Sequence, residues 1–283
     1  MNAKQKEFLS DIAEKNTIEY AIENGKIQLL KKLIREGEEI GDDAVKFAAY
    51  EGNLEIVKYL VGKGAKIGEY AVENAAENGN LEMVKFLVEK GAKIDNDALY
   101  YAAKSGNLEV VKFLVGKGAG INYGAVSGAA SGGNLEIVKY LVGKGAVIGD
   151  EAVSSAAESG SLKIVKYLVE KGAKIGDDAV SSAAESGDGN LEIVKYLVEK
   201  GAEIGDGTVY IAAYSSFEIV KYLVEKGANI DDDAVGIAAE NGHLEMVKFL
   251  EIIKFLEDEK ELSRSKAMIV YNKIKTGKLK LPE

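Results

Sequence analysis

His243 is the only histidine among the 283 residues, and the chain has no cysteine. Those two facts bound the chemistry. A Ser-His-Asp or Cys-His nucleophile needs an imidazole as its base, a metalloprotease helix needs two histidines, and a structural zinc site needs thiolates or several imidazoles. His243 stands where Asn53, Asn80, Asn107, Asn134 and Asn190 stand in related segments. The expectation is a turn residue that satisfies backbone groups, and no catalytic residue is assigned. Gly116-Lys117 and Gly143-Lys144 resemble fragments of a phosphate loop, but neither is followed by Ser or Thr or preceded by the required strand. They read as helix ends. Asp231-Asp232-Asp233 lacks the spaced ligands and terminal Glu of a calcium loop, and acids are favoured at a helix N-terminus. No metal, no cofactor and no enzymatic activity are expected.

Composition narrows the partner classes. Hydrophobic residues make up 47% and charged residues 29%, the balance of a folded chain. The formal net charge of -10 argues against nucleic acid, whose phosphates need clustered Lys and Arg. A basic stretch nevertheless ends the chain, with Arg264, Lys266, Lys273, Lys275, Lys278 and Lys280 against Glu283 alone. No apolar run approaches the roughly 18 residues of a membrane span, and the opening MNAKQKEFLSDIAEKN lacks the apolar middle of a signal peptide. With no cysteine to pair, the expected compartment is the cytoplasm, a host cell's included.

The elements that position these residues repeat. An Ala-Ala pair recurs at Ala48-Ala49, Ala75-Ala76, Ala102-Ala103, Ala129-Ala130, Ala156-Ala157, Ala183-Ala184, Ala212-Ala213 and Ala238-Ala239, in steps of 27, 27, 27, 27, 27, 29 and 26. A degenerate ninth copy precedes them at Tyr20-Ala21-Ile22-Glu23-Asn24-Gly25. The long step comes from an added pair in Gly187-Asp188-Gly189-Asn190 and the short one from Ser215-Ser216-Phe217, both in turns. Within one copy Asp43 is the expected N-cap of a short helix A, Ala44 to Ala49. Gly52-Asn53 turns the chain, and Leu54 to Val61 forms an apolar helix B that closes at Gly64. Helices shorter than about 12 residues are marginal alone in water, so each pair depends on its neighbours for a core.

Asn241-Gly242-His243-Leu244-Glu245-Met246-Val247-Lys248 and its sister segments resemble the second-helix motif of the ankyrin repeat, and the Gly-Ala after helix B matches as well. The resemblance covers residues 17 to 257. It departs at two points. Asp-Ala-Val replaces the family's Thr-Pro-Leu-His opening in most copies, and a period of 27 rather than about 33 leaves no room for projecting β-hairpin fingers. The resemblance implies protein binding. The expected fold is all-α, an ankyrin-like helix-turn-helix solenoid of about nine repeats at 17–257. Residues 1–16 form an N-terminal cap and 258–283 a C-terminal helical cap with a basic tail.

Helical geometry separates a core from a contact surface. Val45, Ala48, Ala49 and Gly52 share one side of helix A, while Lys46, Phe47 and Tyr50 point the other way. The outward positions vary between copies. They supply the candidate partner-binding residues Phe47, Tyr50, Asn74, Glu77, Tyr100, Tyr101, Lys104, Gly128, Ser131, Ser155, Glu158, Ser182, Glu185, Tyr210, Ile211, Tyr214, Ile237 and Glu240. Helix B is the control, because Lys58, Lys85, Lys112, Lys139, Lys166, Lys195, Lys221 and Lys248 are all Lys. A Glu three residues before seven of them adds only about 0.2–0.5 kcal/mol per pair, too little to account for that uniformity. The aromatic after each Lys, Tyr59 to Phe249, is expected to pack between copies with its hydroxyl at the surface where it is Tyr.

Acids at the helix A starts, Asp43, Asp97, Glu151, Asp178 and Asp233, oppose an anionic ligand there; two copies differ, with Gly124 and Gly207 at the equivalent position. The reading is a monomeric protein-binding scaffold or inhibitor that holds its partner on the outward, concave face of the first helices. It binds neither nucleic acid nor membrane. Two alternatives stand beside it. One is a sequestering protein for a small molecule or peptide, with a pocket at Gly128, Ser131, Ser154, Ser155, Ser181 and Ser182; the other is an acidic decoy that mimics nucleic acid.

Overall fold

The structure, a computed structural model, describes residues 17–187 and 190–280. The expected cap at 1–16 and the added pair at 188–189 lie outside them. Among the described residues every regular element is an α-helix. The chain divides into two compact units, residues 1–147 and 148–283.

In the first unit the helices pair as α1 (Ile18–Glu23) with α2 (Ile27–Glu36), α3 (Ala44–Tyr50) with α4 (Leu54–Gly62), and α5 (Ala71–Glu77) with α6 (Leu81–Glu89). Then come α7 (Asn96–Lys104) with α8 (Leu108–Gly116) and α9 (Tyr123–Ser131) with α10 (Leu135–Gly143). In the second unit the pairs are α11 (Glu151–Glu158) with α12 (Leu162–Glu170), α13 (Ala179–Glu185) with α14 (Leu191–Glu199), α15 (Thr208–Ala213) with α16 (Phe217–Glu225), and α17 (Asp232–Glu240) with α18 (Leu244–Asp258). A last helix, α19 (Arg264–Lys275), follows. Within each unit the first helices of successive pairs stack on one another and the second helices form the adjoining layer.

Alanine explains the stacking. Ala48, Ala49, Ala75, Ala76, Ala102 and Ala103 are fully buried, and their small side chains let α3, α5, α7 and α9 approach closely. The nearest approach is at α9. A Cβ on Gly128 would stand 2.8 Å from the Tyr100 ring and from the Tyr100 carbonyl oxygen, and one on Gly132 would stand 1.9 Å from the Lys104 carbonyl oxygen. Helix B contributes larger groups to the same core, such as Ile56, Val57 and Leu60. The turn between the helices passes through Gly52 at φ 71° and leaves helix B through Gly64 at φ 86°, left-handed conformations that a residue with a Cβ adopts at a cost.

Side-chain caps differ from the expected pattern. Asp43 does not cap α3 but pairs with Lys46 at 3.0 Å. Caps form instead where the helix starts earlier: Asp95, Asn122 and Asp231 accept from the backbone N–H three residues on, at 2.9, 3.0 and 2.7 Å. Backbone conformation, not the presence of an acid, decides which ends are satisfied: Asp95, Asn122 and Asp231 are extended and Asp43 is not.

The lysine at the end of helix B has a use that its spacing concealed. Lys63, Lys90, Lys117 and Lys144 in the first unit, and Lys171, Lys200 and Lys226 in the second, lie over the aromatic ring four residues earlier. The ammonium-to-centroid distances run from 5.4 to 5.8 Å. Such contacts contribute about 0.5–1 kcal/mol each at exposed sites. Tyr222 departs from the expectation for its hydroxyl, which is buried without a partner; burial pushes its pKa up. Glu-Lys pairs on helix B form at Glu82–Lys85, Glu109–Lys112, Glu136–Lys139 and Glu192–Lys195. Glu55 reaches Lys31 of the preceding copy instead.

At the end of the second unit α19 packs on α16 and α18. Phe249 is fully buried between Phe217 and Tyr271, with ring centroids 5.6 and 4.8 Å away. Arg264 pairs with Glu257 and donates to the Val224 and Ala228 carbonyls at 3.0 and 2.7 Å, tying α19 to the loop after α16. Ala267, Met268 and Tyr271 are buried on α19, while Ile269 is exposed.

Candidate functional site

The candidate surface is built on the first helices. In the first unit α3 presents Phe47 and Tyr50, 46% and 60% exposed although both are large apolar rings. Asn78 secures the end of that helix by donating to the Ala49 and Tyr50 carbonyls at 3.3 and 2.6 Å, a role its position in a turn did not reveal. Asn74 of α5 is half-buried and donates to the Lys46 carbonyl at 3.3 Å, so it serves the stack; Glu77 beside it is exposed. On α7 the half-buried Tyr100 and Tyr101 meet edge to face at 5.1 Å, and exposed Lys104 lies 6.0 Å from the Tyr100 centroid.

Gly128 corrects the geometric assignment. It is buried against Tyr100, in the α7–α9 contact, because that approach is too close for any side chain. It offers a partner nothing. Ser131 is half-buried, while Ser127 is buried with its hydroxyl unpartnered.

An acidic and aromatic cluster joins α5 to α7. Glu73 is half-buried, with one carboxylate oxygen shielded from solvent and unpartnered, and burial, reinforced by Asp95, Asp97 and Glu77, raises its pKa. The Tyr101 hydroxyl is pushed up as well, by Glu73 first, then by burial, with Glu77 and Asp97 adding to it. Glu73 also lines a groove of about 890 Å³ with Tyr70, Asp95, Asp97, Lys90 and Lys93. Tyr70 is 52% exposed and holds φ 68°, a conformation that Gly207 adopts at the equivalent position with φ 79°. A tyrosine kept in a glycine's conformation stores strain of about 1–2 kcal/mol. This groove was legible only as Tyr70 and Glu73 standing where sister copies have other residues.

In the second unit the candidates fall into two groups. Ser155 and Ser182 are half-buried, and Glu158 and Glu185 exposed. Ser154 is buried and donates to the Asp178 carboxylate at 2.6 Å, and Ser181 donates to the Asp178 carbonyl at 2.8 Å. Both serines are engaged at the start of α13. Tyr210 on α15 and Tyr214 directly after it form an edge-to-face pair at 5.4 Å with hydroxyls 2.8 Å apart, and Tyr214 is 48% exposed. Ile211 and Ile237 are half-buried and Glu240 exposed.

His243 does what its position implied. Its Nε2 lies 3.1 Å from the Tyr214 carbonyl, which can only accept, so that nitrogen carries the proton. Asn134 makes the same kind of bond to the Ala103 and Lys104 carbonyls at 2.9 Å each, and Asn190 to the Ala157 carbonyl at 3.1 Å. Three of the eight Ala-Ala copies start the first helix without an acid at the position of Asp43, at Tyr70, Gly124 and Gly207, and of these only the one containing Gly124 has a side-chain cap. Asn122 caps the helix containing Gly124, and Thr208 beside Gly207 donates to the Gly205 carbonyl at 2.7 Å. Among the described residues no group of three His, Cys, Asp or Glu is disposed to hold a metal ion, and no helix is long and apolar enough to cross a membrane.

Comparison with known proteins follows the same helix pairs. The family described as Ankyrin repeats (3 copies) matches at residues 18–98, 47–125, 99–179, 126–208 and 180–254. Among solved structures, the ankyrin repeat domain of human ASB11 is similar with a TM-score of 0.51 and 20% identity, covering 63% of this chain and 96% of that one. At that identity the likeness is one of fold. No curated protein sequence matches the chain.

Proposed function

Because the chain belongs to the ankyrin-repeat family, matched from residue 18 to 254, we propose that it is a non-enzymatic scaffold that binds a protein partner through the surfaces of its first helices. The observation that carries the reading is the set of large rings left open there. Phe47, Tyr50 and Tyr214 are 46%, 60% and 48% exposed on helices whose opposite sides are buried alanines. Packing does not require them, and exposed aromatics of this kind dominate interface energetics.

The first unit adds chemistry to that surface. The charges of Glu73, Glu77 and Asp97 act on the Tyr101 hydroxyl, and among the described residues the shielded oxygen of Glu73 has no donor. A basic side chain from the partner would pair with the exposed carboxylates Glu77 and Asp97, with the tyrosine rings as its walls. Strain held at Tyr70 supports the same region, since backbone strain is retained where a side chain has work to do.

The test is comparative capture from the native source, analysed by mass spectrometry, with three baits. Wild-type protein and a Lys112→Ala, Lys139→Ala double variant should retain the same protein, while a Tyr50→Ala, Tyr101→Ala, Tyr214→Ala triple variant with unchanged circular dichroism should lose it. Equal retention by all three baits would exclude the first-helix surfaces.

A further inference from the structure

The last first helix is not covered as its sisters are. In the second unit Ala157, Ala184 and Ala213 are fully buried, and each lies on a helix packed against the first helix of the next copy. Ala239, at the same position on α17, is exposed, and so is Gly236 one turn earlier. The reason lies in α18. Instead of turning back after nine residues like α16, it runs on for fifteen, so among the described residues no further first helix is laid beside α17, and α19 covers α16 and α18 instead.

A groove of about 410 Å³ results, with Val235 and Gly236 of α17 on one side and Phe255, 52% exposed, on the other. Gly236 and Ala239 lie three residues apart on one face of α17, and their small side chains leave the slot open to the close approach of a helix. The rim is acidic, with Asp232, Glu251 and Asp258 along it. Its one lysine, Lys254, is already held by Asp232.

We propose that this groove is a second interaction site, which receives an amphipathic helix of a partner protein. That helix presents small and apolar residues to Val235, Gly236, Ala239 and Phe255, and Lys or Arg flanks to the acidic rim. Continuity with the interface between copies argues for a helix, because the slot is the one that a further first helix would fill. Charge argues for a basic partner. It also disfavours a second copy of this chain, since a two-fold contact would set one acidic rim against another.

The probe is a fluorescein-labelled 18-residue synthetic helix with Ala and Leu along one face and Lys on both flanks, paired with an otherwise identical peptide carrying Glu for Lys. Binding to the full chain is read by anisotropy. The Lys peptide should bind about tenfold or more tightly than the Glu peptide and weaken with added salt. Ala239→Arg, at an exposed helical position, and Phe255→Ala should each reduce its affinity about tenfold with the thermal melt unchanged. Failure of the Lys peptide to bind, equal binding of both peptides, or indifference to both substitutions overturns the proposal. A dimer seen by sedimentation and dissolved by Ala239→Arg also overturns it, by assigning the groove to a second copy.

Discussion

Glu73 shows how much one carboxylate in this surface costs the fold. Burial comes first among the causes that raise its pKa, with Asp95, Asp97 and Glu77 adding to it. A carboxyl whose pKa is higher folded than unfolded binds its proton more tightly in the folded state, so its ionisation costs stability as pH rises through that range. Glu73→Gln should therefore melt about 1–2 °C above wild type at neutral pH, with the gap closing below about pH 4 where both folded and unfolded carboxyls are protonated. A calorimetric pH series reads both parts. An equal melting temperature at all pH values would mean that Glu73 is better solvated than its surroundings imply. His243→Asn is the contrasting case. Asparagine makes the same bond to a preceding carbonyl at Asn134 and Asn190, so this variant should keep its fold and its partner. Loss of partner binding in a folded His243→Asn protein would give the imidazole a role beyond the turn.

At the scale of the helix, close approach rather than bulk governs the stack. A Cβ on Gly132 would lie 1.9 Å from the backbone carbonyl of Lys104, and backbone cannot swing aside as a side chain can. Gly132→Ala should cost about 1–3 kcal/mol in a denaturant melt, whereas Gly143→Ala, whose Cβ would meet nothing within 4 Å, should cost little. Equal effects would contradict the α7–α9 packing. The helices themselves were legible because the Ala-Ala pair and the Leu-x-Ile-Val pattern recur with one period, so every copy repeats the evidence for every other. Interfaces were less legible. Angular position on an ideal helix placed Gly128 outward, but its burial depends on how closely Tyr100 approaches, and that distance is not a property of either helix alone. Asp43 looked like a cap because Asp is a good one, yet capping needs an extended residue three positions before its donor, which Asp95 has and Asp43 lacks. Ala239 carried the same letters as its sisters and differs only because α18 continues past the turn.

At the scale of the molecule, repetition divides the labour between two kinds of helix. Second helices repeat one solution in seven copies, with Lys over an aromatic ring and charged residues outside, and so contribute stability by nearest-neighbour contacts. First helices share the buried alanines but vary outside them, which is what a surface shaped by a partner would show. Two features weigh against the alternative of a Ser/Gly-lined pocket. Gly128 and Ser154 are buried, and Ser154 and Ser181 are already bonded to Asp178. The lysines along helix B interrupt the unbroken acidic strip that a nucleic-acid mimic would need. The claim at the centre is that the first helices, not the second, hold the partner, and titration calorimetry of the captured protein against two sets of single variants tests it most directly. Tyr50→Ala, Tyr101→Ala and Tyr214→Ala should each weaken binding by about 1–3 kcal/mol, while Lys112→Ala and Lys139→Ala should stay within about 0.5 kcal/mol of wild type. Weakening by the lysine set with no change in the tyrosine set would contradict the account and move the interface to the other layer.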